Sequence, residues 1–579
     1  MAASISELPP ELLNLICNYM HTKQEIANFS QCSRQFRAVA APHLYRHIDL
    51  LSTSVFNHAL RKDAVSHRVE ALVRTFLRDR NLGLMVRHLA IRLPEVVQNN
   101  GRALTPLDPQ CEDVVKAILP DSLDNSLLAQ TGIVGSTSSA GSVDSGSDWE
   151  EANGSDWEST DESADEDEVE ILTNHNESIP VFETEADRWI YLAARSKAIR
   201  GNVMFTILLS CIPGLATLDL EMPSDGWRTG FLDRALQRDM THHNAPSQPS
   251  PSSFLANLRH ICFGYTSPLR RGESWVGPFV LPSLEQIYLH NLSSLGPILS
   301  FVRPQSLNIT HLELRDCRVP ATSLIRLLSS PKALKTFIYI VGEEKTREDH
   351  FAPISYRSLR LSMEKQKDSL EEIWLDYPHD YHWGNSTSQN TAPMGSLTAF
   401  TKLKHLRIAG TYIFGFVWTS NVDERRLVRA LPEQLETLCL CHADEDDETI
   451  DGITFVLDAK KTGRFPELRE ITLEAGAMWH FGNRRDLAPV LELAESVGVY
   501  MKLIDNHSDQ RLEEMWERTH AALHFMENPT QKSRRESPWG FYREKSWPVR
   551  VSGIMQMPQY RDITENTRVV RASDDSDDS

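Results

Sequence analysis

One spacing of apolar residues keeps returning along the chain: an apolar position, two others, a second apolar position, one other, and a third. It reads "LATLDL", "LRHICF", "LEQIYL", "ITHLEL", "LKTFIY", "LEEIWL", "LKHLRI", "LETLCL" and "LREITL", beginning at Leu215, Leu258, Leu284, Ile309, Leu334, Leu370, Leu403, Leu435 and Leu468. Alternation within each copy predicts a short strand whose apolar side chains, such as Leu312 and Leu314, point into a core. Stretches between copies, such as "TSLIRLLSS", carry helical spacing and return the chain for another parallel strand. "VRHLAI" from Val86 reads as an earlier copy, and "GVYMKLI", behind the helix-like "LAPVLELAESV", as a terminal strand. No single copy buries its own apolar face, so the copies must stack. The prediction is an α/β fold, a solenoid with a parallel concave sheet over 80–95 and 185–505.

The first residues follow another rhythm. In "SELPPELLNLICNYM", Pro9 and Pro10 open a helix whose Leu12, Leu13, Ile16, Cys17 and Met20 recur at three- and four-residue spacing. Thr22 and Glu25 then form a capping-box pattern, and Ile26, Phe29, Cys32 and Phe36 continue an apolar face. Two or three short helices in about 45 residues have too little core to stand alone, so this face needs the solenoid or another protein.

The repeats resemble the leucine-rich-repeat family, with an irregular spiral expected. Only "ITHLELRDC" places a residue of the usual type, Cys317, at the Asn/Cys position that closes the motif; other copies put Leu292, Pro378, Thr411, Ala443 or Gly476 there. The N-terminal pattern, Leu8-Pro9-x-Glu11-Leu12-Leu13-x-x-Ile16, then Ile26-x-x-Phe29, then "CSRQFRAVAAPHLYRHIDL", resembles an F-box over 5–50, particularly the fungal type. The resemblance implies binding of the Skp adaptor, and of cullin through it, by Leu8, Pro9, Leu12, Leu13, Ile16, Ile26, Phe29, Cys32 and Phe36. Phe36 stands where many members carry Trp. The implied function is the non-catalytic substrate-recognition subunit of an SCF-type ubiquitin ligase. The alternative is a Skp-bound scaffold outside ubiquitin transfer.

Charge sharpens the map. The formal net charge is −20, but Asp144 to Glu170 holds 13 acidic residues without Lys or Arg, and the final "SDDSDDS" adds 4. The rest is near neutral, which signals neither nucleic-acid nor membrane attraction. Residues 121–180 have the composition of a disordered acidic insertion, and 506–579 read as a C-terminal helix and acidic tail. Inside the insertion "GSDWE" occurs twice, carrying Trp149 and Trp157, and Ser145, Ser147, Ser155, Ser159 and Ser163 each precede an acidic residue by three positions. The loop "HHNAPSQPSPSS" lengthens one repeat. Eight scattered cysteines suit a reducing compartment, the cytoplasm or nucleus, and the N-terminus does not read as a secretory leader.

No cofactor, metal or catalytic site is predicted, because the usual nucleotide, zinc and nucleophile motifs are missing. The nearest candidate chemistry is Cys439 and Cys441 on the solvent side of one strand, with His442 and Asp444 following. Client contacts are expected on the sheet face opposite the core, at Tyr288, His290, Arg315, Trp374, Asp376 and Arg407; Trp374 and Arg407 are the expected hot spots.

Overall fold

The computed structural model describes residues 8–20, 23–50, 62–92, 104, 106–119, 182, 184–222, 231–232, 235–236, 255–265, 281–290, 302–319, 321–341, 355–376, 393–414, 425–441, 447–475 and 488–505. The chain divides into two compact units, 1–102 with 197–579 and 103–196.

The first unit opens with three helices, α1 (Pro10–Tyr19), α2 (Lys23–Cys32) and α3 (Arg34–Tyr45). Pro9 is extended and caps α1, with Pro10 in the first turn where no backbone N–H is needed. Ser33 Oγ accepts from the Phe36 N–H at 3.1 Å and starts α3. Thr22 lies outside the described residues. Leu13, Cys17, Ile26, Phe29, Phe36, Val39 and Ala40 form the bundle core, and the Phe29 and Phe36 rings stack at 4.4 Å.

α3 runs straight into a strand. β1 (His47–Asp49) is the first of twelve parallel strands whose order in the sheet equals their order in the chain. The others are β2 (His88–Arg92), β3 (Thr217–Met222), β4 (His260–Tyr265), β5 (Gln286–His290), β6 (His311–Cys317), β7 (Thr336–Val341), β8 (Glu372–Asp376), β9 (His405–Ala409), β10 (Thr437–Cys441), β11 (Glu470–Ala475) and β12 (Tyr500–Asp505). Each copy of the apolar pattern is one of these strands. β1 is the addition: in "YRHIDL" Tyr45, in the last turn of α3, replaces the leading leucine, so the helical span expected over 5–50 ends inside the sheet. Register aligns Leu89, Leu218, Ile261, Ile287, Leu312, Phe337, Ile373, Leu406, Leu438 and Ile471 in one fully buried row.

Helices connect the strands. α4 (Lys62–Arg78) and α5 (Arg80–Met85) separate β1 from β2. A Cβ on Gly83 would lie 2.0 Å from the Cys211 carbonyl oxygen, so only glycine permits that approach. The second unit contributes α6 (Pro109–Ile118) and α7 (Glu185–Arg195); the first resumes with α8 (Lys197–Ser210), whose Arg200 meets Glu70 of α4 at 2.7 Å. Beyond β6 come α9 (Ala321–Ser329), α10 (Tyr356–Met363), α11 (Gly410–Phe414), α12 (Arg426–Ala430), α13 (Asp447–Lys461) and α14 (Ala488–Ser496).

Neighbouring repeats are also clamped by side chains. The residue just before the leading apolar position reaches back to a carbonyl of the preceding turn: Asn257 Nδ2 to Pro213 at 2.9 Å, Asn308 Nδ2 to Pro282 at 2.7 Å, and Gln434 Nε2 to Phe400. These clamps sit at the start of the strands, at the end opposite the Asn/Cys position. Cys317 still serves there, its buried Sγ 3.6 Å from the Leu289 carbonyl oxygen.

In the second unit Asp108 and Thr184 cap α6 and α7, and Lys116 and Asp187 stand 3.6 Å apart. Cys111, Val115 and Leu119 are buried, as are Ala186, Trp189 and Leu192. Residues 185–196 thus belong with 103–119 rather than with the repeats, where the sequence pattern puts them. The acidic stretch 121–180, with Trp149, Trp157 and its serines, falls outside the described residues, as do "HHNAPSQPSPSS" and 506–579.

Candidate functional site

The first candidate surface is α1. Its buried side, Leu13 and Cys17, joins the bundle core. Opposite lie Leu12, Leu15 and Tyr19, 46%, 49% and 72% exposed, and half-buried Ile16 sits beside them at helical spacing. Leu8 is half-buried, and Pro9 and Cys32 are exposed. Of the nine residues that the resemblance assigns to adaptor contact, Leu13, Ile26, Phe29 and Phe36 are instead buried in the bundle. Their contribution is to hold α1 in place. Leu15 and Tyr19 are the residues that sequence reading passed over; they repeat Leu12 at three and seven positions, so the signal was present as a second apolar stripe.

The second candidate is the sheet face opposite the apolar row, and here the structure corrects an expectation. Tyr288, Arg315, Trp374, Asp376 and Arg407 are all buried, Trp374 and Arg315 completely; only His290 is partly exposed. The register explains how charged groups tolerate this. Trp374 aligns with Ile338 and Arg407 on adjacent strands, and the guanidinium carbons of Arg315 and Arg407 stand 4.5 and 4.9 Å from its ring centroid. Arg407 Nη2 donates to Asp376 Oδ2 at 2.7 Å, Arg315 Nε donates to Glu313, and His311 Nε2 lies 3.0 Å from the other Glu313 oxygen. Arg315 and Arg407 each have a carboxylate partner.

The burial runs the length of this face. Ala90, Asp219, Cys262, Tyr288, Glu313, Ile338, Trp374, Arg407, Cys439 and Thr472, one per strand from β2 to β11, are all buried. The middle of this face is therefore as buried as the core side. Burial, followed by the Asp219 and Glu313 carboxylates, pushes the Cys262 thiol well above the ordinary range. Cys439 and Cys441 do share a side of β10, but both are buried rather than open to solvent, and Cys439 Sγ accepts from Arg407 Nη1 at 3.4 Å. His442 and Asp444 lie outside the described residues. Among the described residues no group of three or more His, Cys, Asp and Glu is placed to hold a metal ion, and no helix is long and apolar enough to cross a membrane.

The rim where the strands begin is more open. One residue per strand lies there: Thr217, His311, Glu372 and Thr437 are buried, His47, His88, His260, Gln286, Thr336, His405 and Glu470 are half-buried, and Tyr500 is exposed. The His47 and His88 rings stack at 4.3 Å, and His405 Nδ1 lies 2.9 Å from Thr437 Oγ1. One position earlier runs an exposed ion-pair ladder: Lys335 to Glu371 at 3.6 Å, Lys404 to Glu436 at 2.9 Å and Arg469 to Glu436 at 3.0 Å. Its hydrogen bond to Lys404 lowers the Glu436 carboxyl pKa, and the same bond raises Lys404.

Comparison with known families agrees with both parts of this architecture. An F-box-like family model matches residues 5–51, and a leucine-rich repeat domain model matches 273–480. No curated protein matches the chain.

Proposed function

We propose that the chain is the substrate-recognition subunit of an SCF-type ubiquitin ligase, of the fungal F-box kind. The observation that carries this reading is the stripe of Leu12, Leu15, Ile16 and Tyr19 on a helix within the F-box-like match. An apolar stripe at that spacing is the form in which a helix docks into a hydrophobic groove, and the Skp adaptor supplies the groove in this reading. Cullin joins through the adaptor. The repeats hold a client protein, and the subunit contributes positioning: a client lysine held beside a charged conjugating enzyme reacts at raised effective concentration. Eight free cysteines suit the reducing cytoplasm or nucleus.

Co-expression with a Skp adaptor and cullin tests the reading. The full chain is expected to co-purify with both, and Leu12→Asp with Tyr19→Asp to lose both while keeping its melting temperature. Retention of the adaptor without cullin would leave an interaction scaffold; retention of both by the double variant would refute docking through α1.

A further inference from the structure

We infer that the chain's own C-terminal segment, 506–579, seats across the polar face of the sheet and keeps it closed. This goes beyond the ligase-receptor reading and stands without it. The face is drier than the strands alone can make it. Ala90 and Thr472, small side chains near its two ends, are 0% exposed, although neighbouring strands about 4.8 Å away do not roof over a residue that points out of a sheet. Ile338, Ile340, Trp374 and Cys439 form an apolar cluster on β7, β8 and β10, to which no described helix contributes.

Short connections do not supply the cover. β6 passes to α9 through residues 318–320 and β10 to α13 through 442–446, yet Glu313 and Arg315 on β6 and Cys441 on β10 are 0% exposed. Burial of the middle row is continuous from β2 to β11, a span of roughly 43 Å at about 4.8 Å per rung. It also deepens along the strands. The row at the strand starts is partly open, while Arg315, Asp376, Ala409 and Cys441, nearer the strand ends, are buried.

One segment fits this strip in origin, length and composition. It leaves β12 at Asp505, at the strand ends and beside β11, where the buried row begins. About 13 extended residues cross that row, well within 506–579. The segment belongs to the same compact unit as the sheet, whereas the acidic stretch 121–180 belongs to the other. Trp516, Trp539, Phe541, Tyr542 and Trp547 give it the aromatic content that solvated segments lack and that an apolar cluster around Trp374 receives. A ligand drawn to Arg315, Trp374 and Arg407 then competes with a tethered segment, and its apparent affinity falls with the fraction of time that the face is open.

The experiment places p-benzoylphenylalanine in the full chain at His290, half-buried on this face, and maps the photo-cross-links by peptide mass spectrometry. The same residue at Leu84, exposed on α5, is the control. Links from position 290 into 506–579 are expected, and none into it from position 84. The proposal fails if the links from 290 run only to segments between strands, if they join two copies of the chain, if none form, or if position 84 reaches 506–579 equally.

A second measurement inserts a specific protease site after Asn506, so that the segment is cut from the folded full chain. In the fraction that loses it on gel filtration, Cys439 and Cys441 are expected to react with iodoacetamide about tenfold faster or more, with Cys17 of the bundle core unchanged. Unchanged labelling of Cys439 and Cys441 after that loss overturns the seat. Faster labelling of Cys17 as well overturns it too, because the segment then supports the whole fold rather than closing one face.

Discussion

The helical bundle and the repeat sheet invert the usual relation between residue type and exposure. On α1, Leu12, Leu15 and Tyr19 face water, while on the sheet Arg315, Glu313 and Arg407 lie dry beside Trp374. The bundle is so small that a helix with apolar residues on both sides has only one side covered. The middle of the sheet is buried on both faces, so polar residues that alternate outward there are enclosed and need partners. Exposure therefore follows from what lies on top of a residue, and the chemistry of the residue shows how that situation is tolerated.

The contrast breaks most sharply at Glu313. Glu313→Gln leaves Arg315 buried without its carboxylate, and a loss of about 3–5 kcal/mol in denaturant unfolding is expected. A loss below about 1 kcal/mol would place the pair in solvent, where surface pairs belong. A smaller effect sharpens the account of how the repeats are joined. Asn308→Ala removes the clamp onto the Pro282 carbonyl and should cost about 1 kcal/mol, measured in the same way.

Smaller still is the expected change on the bundle. Leu12→Ser with Leu15→Ser should shift stability by less than about 1 kcal/mol, because about half of each side chain already faces water. If the double variant unfolds, the stripe is internal packing and the inversion disappears.

The smallest effect concerns the rim. The Glu436 carboxyl is depressed by its bond to Lys404, so its contribution to stability is present above the unfolded carboxylate pKa and fades as pH falls through the lower folded value. Lys404 titrates in the other sense, its contribution fading as pH rises through its raised pKa. Lys404→Met should move the Glu436 titration upward, read by NMR of the carboxyl carbon. An unmoved titration would remove Lys404 as the cause.

Much of the fold is legible in the spacing of apolar residues, and the reasons for the failures are local. The pattern locates β2 through β12 because a buried strand cannot hide its alternation. β1 is passed over because Tyr45 takes the leading position while still inside α3, so helical and strand periods overlap on one residue. Alternation also assigns Trp374 and Arg407 to the correct side of the sheet, but it reports side and not cover. Hence the expected client contacts other than His290 are buried. The clamps at Asn257, Asn308 and Gln434 were unread for a different reason: the polar ladder moved from one end of the strand to the other.

The direct passage of α3 into β1 has a mechanical consequence. Modules joined by a flexible linker explore a cloud of separations, which dilutes whatever one presents to the other. Here the bundle hands its last residues to the sheet as a rung, with the Arg46 carbonyl accepting from the backbone of Arg87 and His88. Separation from the bundle is then counted in rungs of about 4.8 Å. A partner seated near β1 and one seated near β11 would be held at different fixed reaches, and exchanging one rung for another would act as a change of lever arm rather than of affinity.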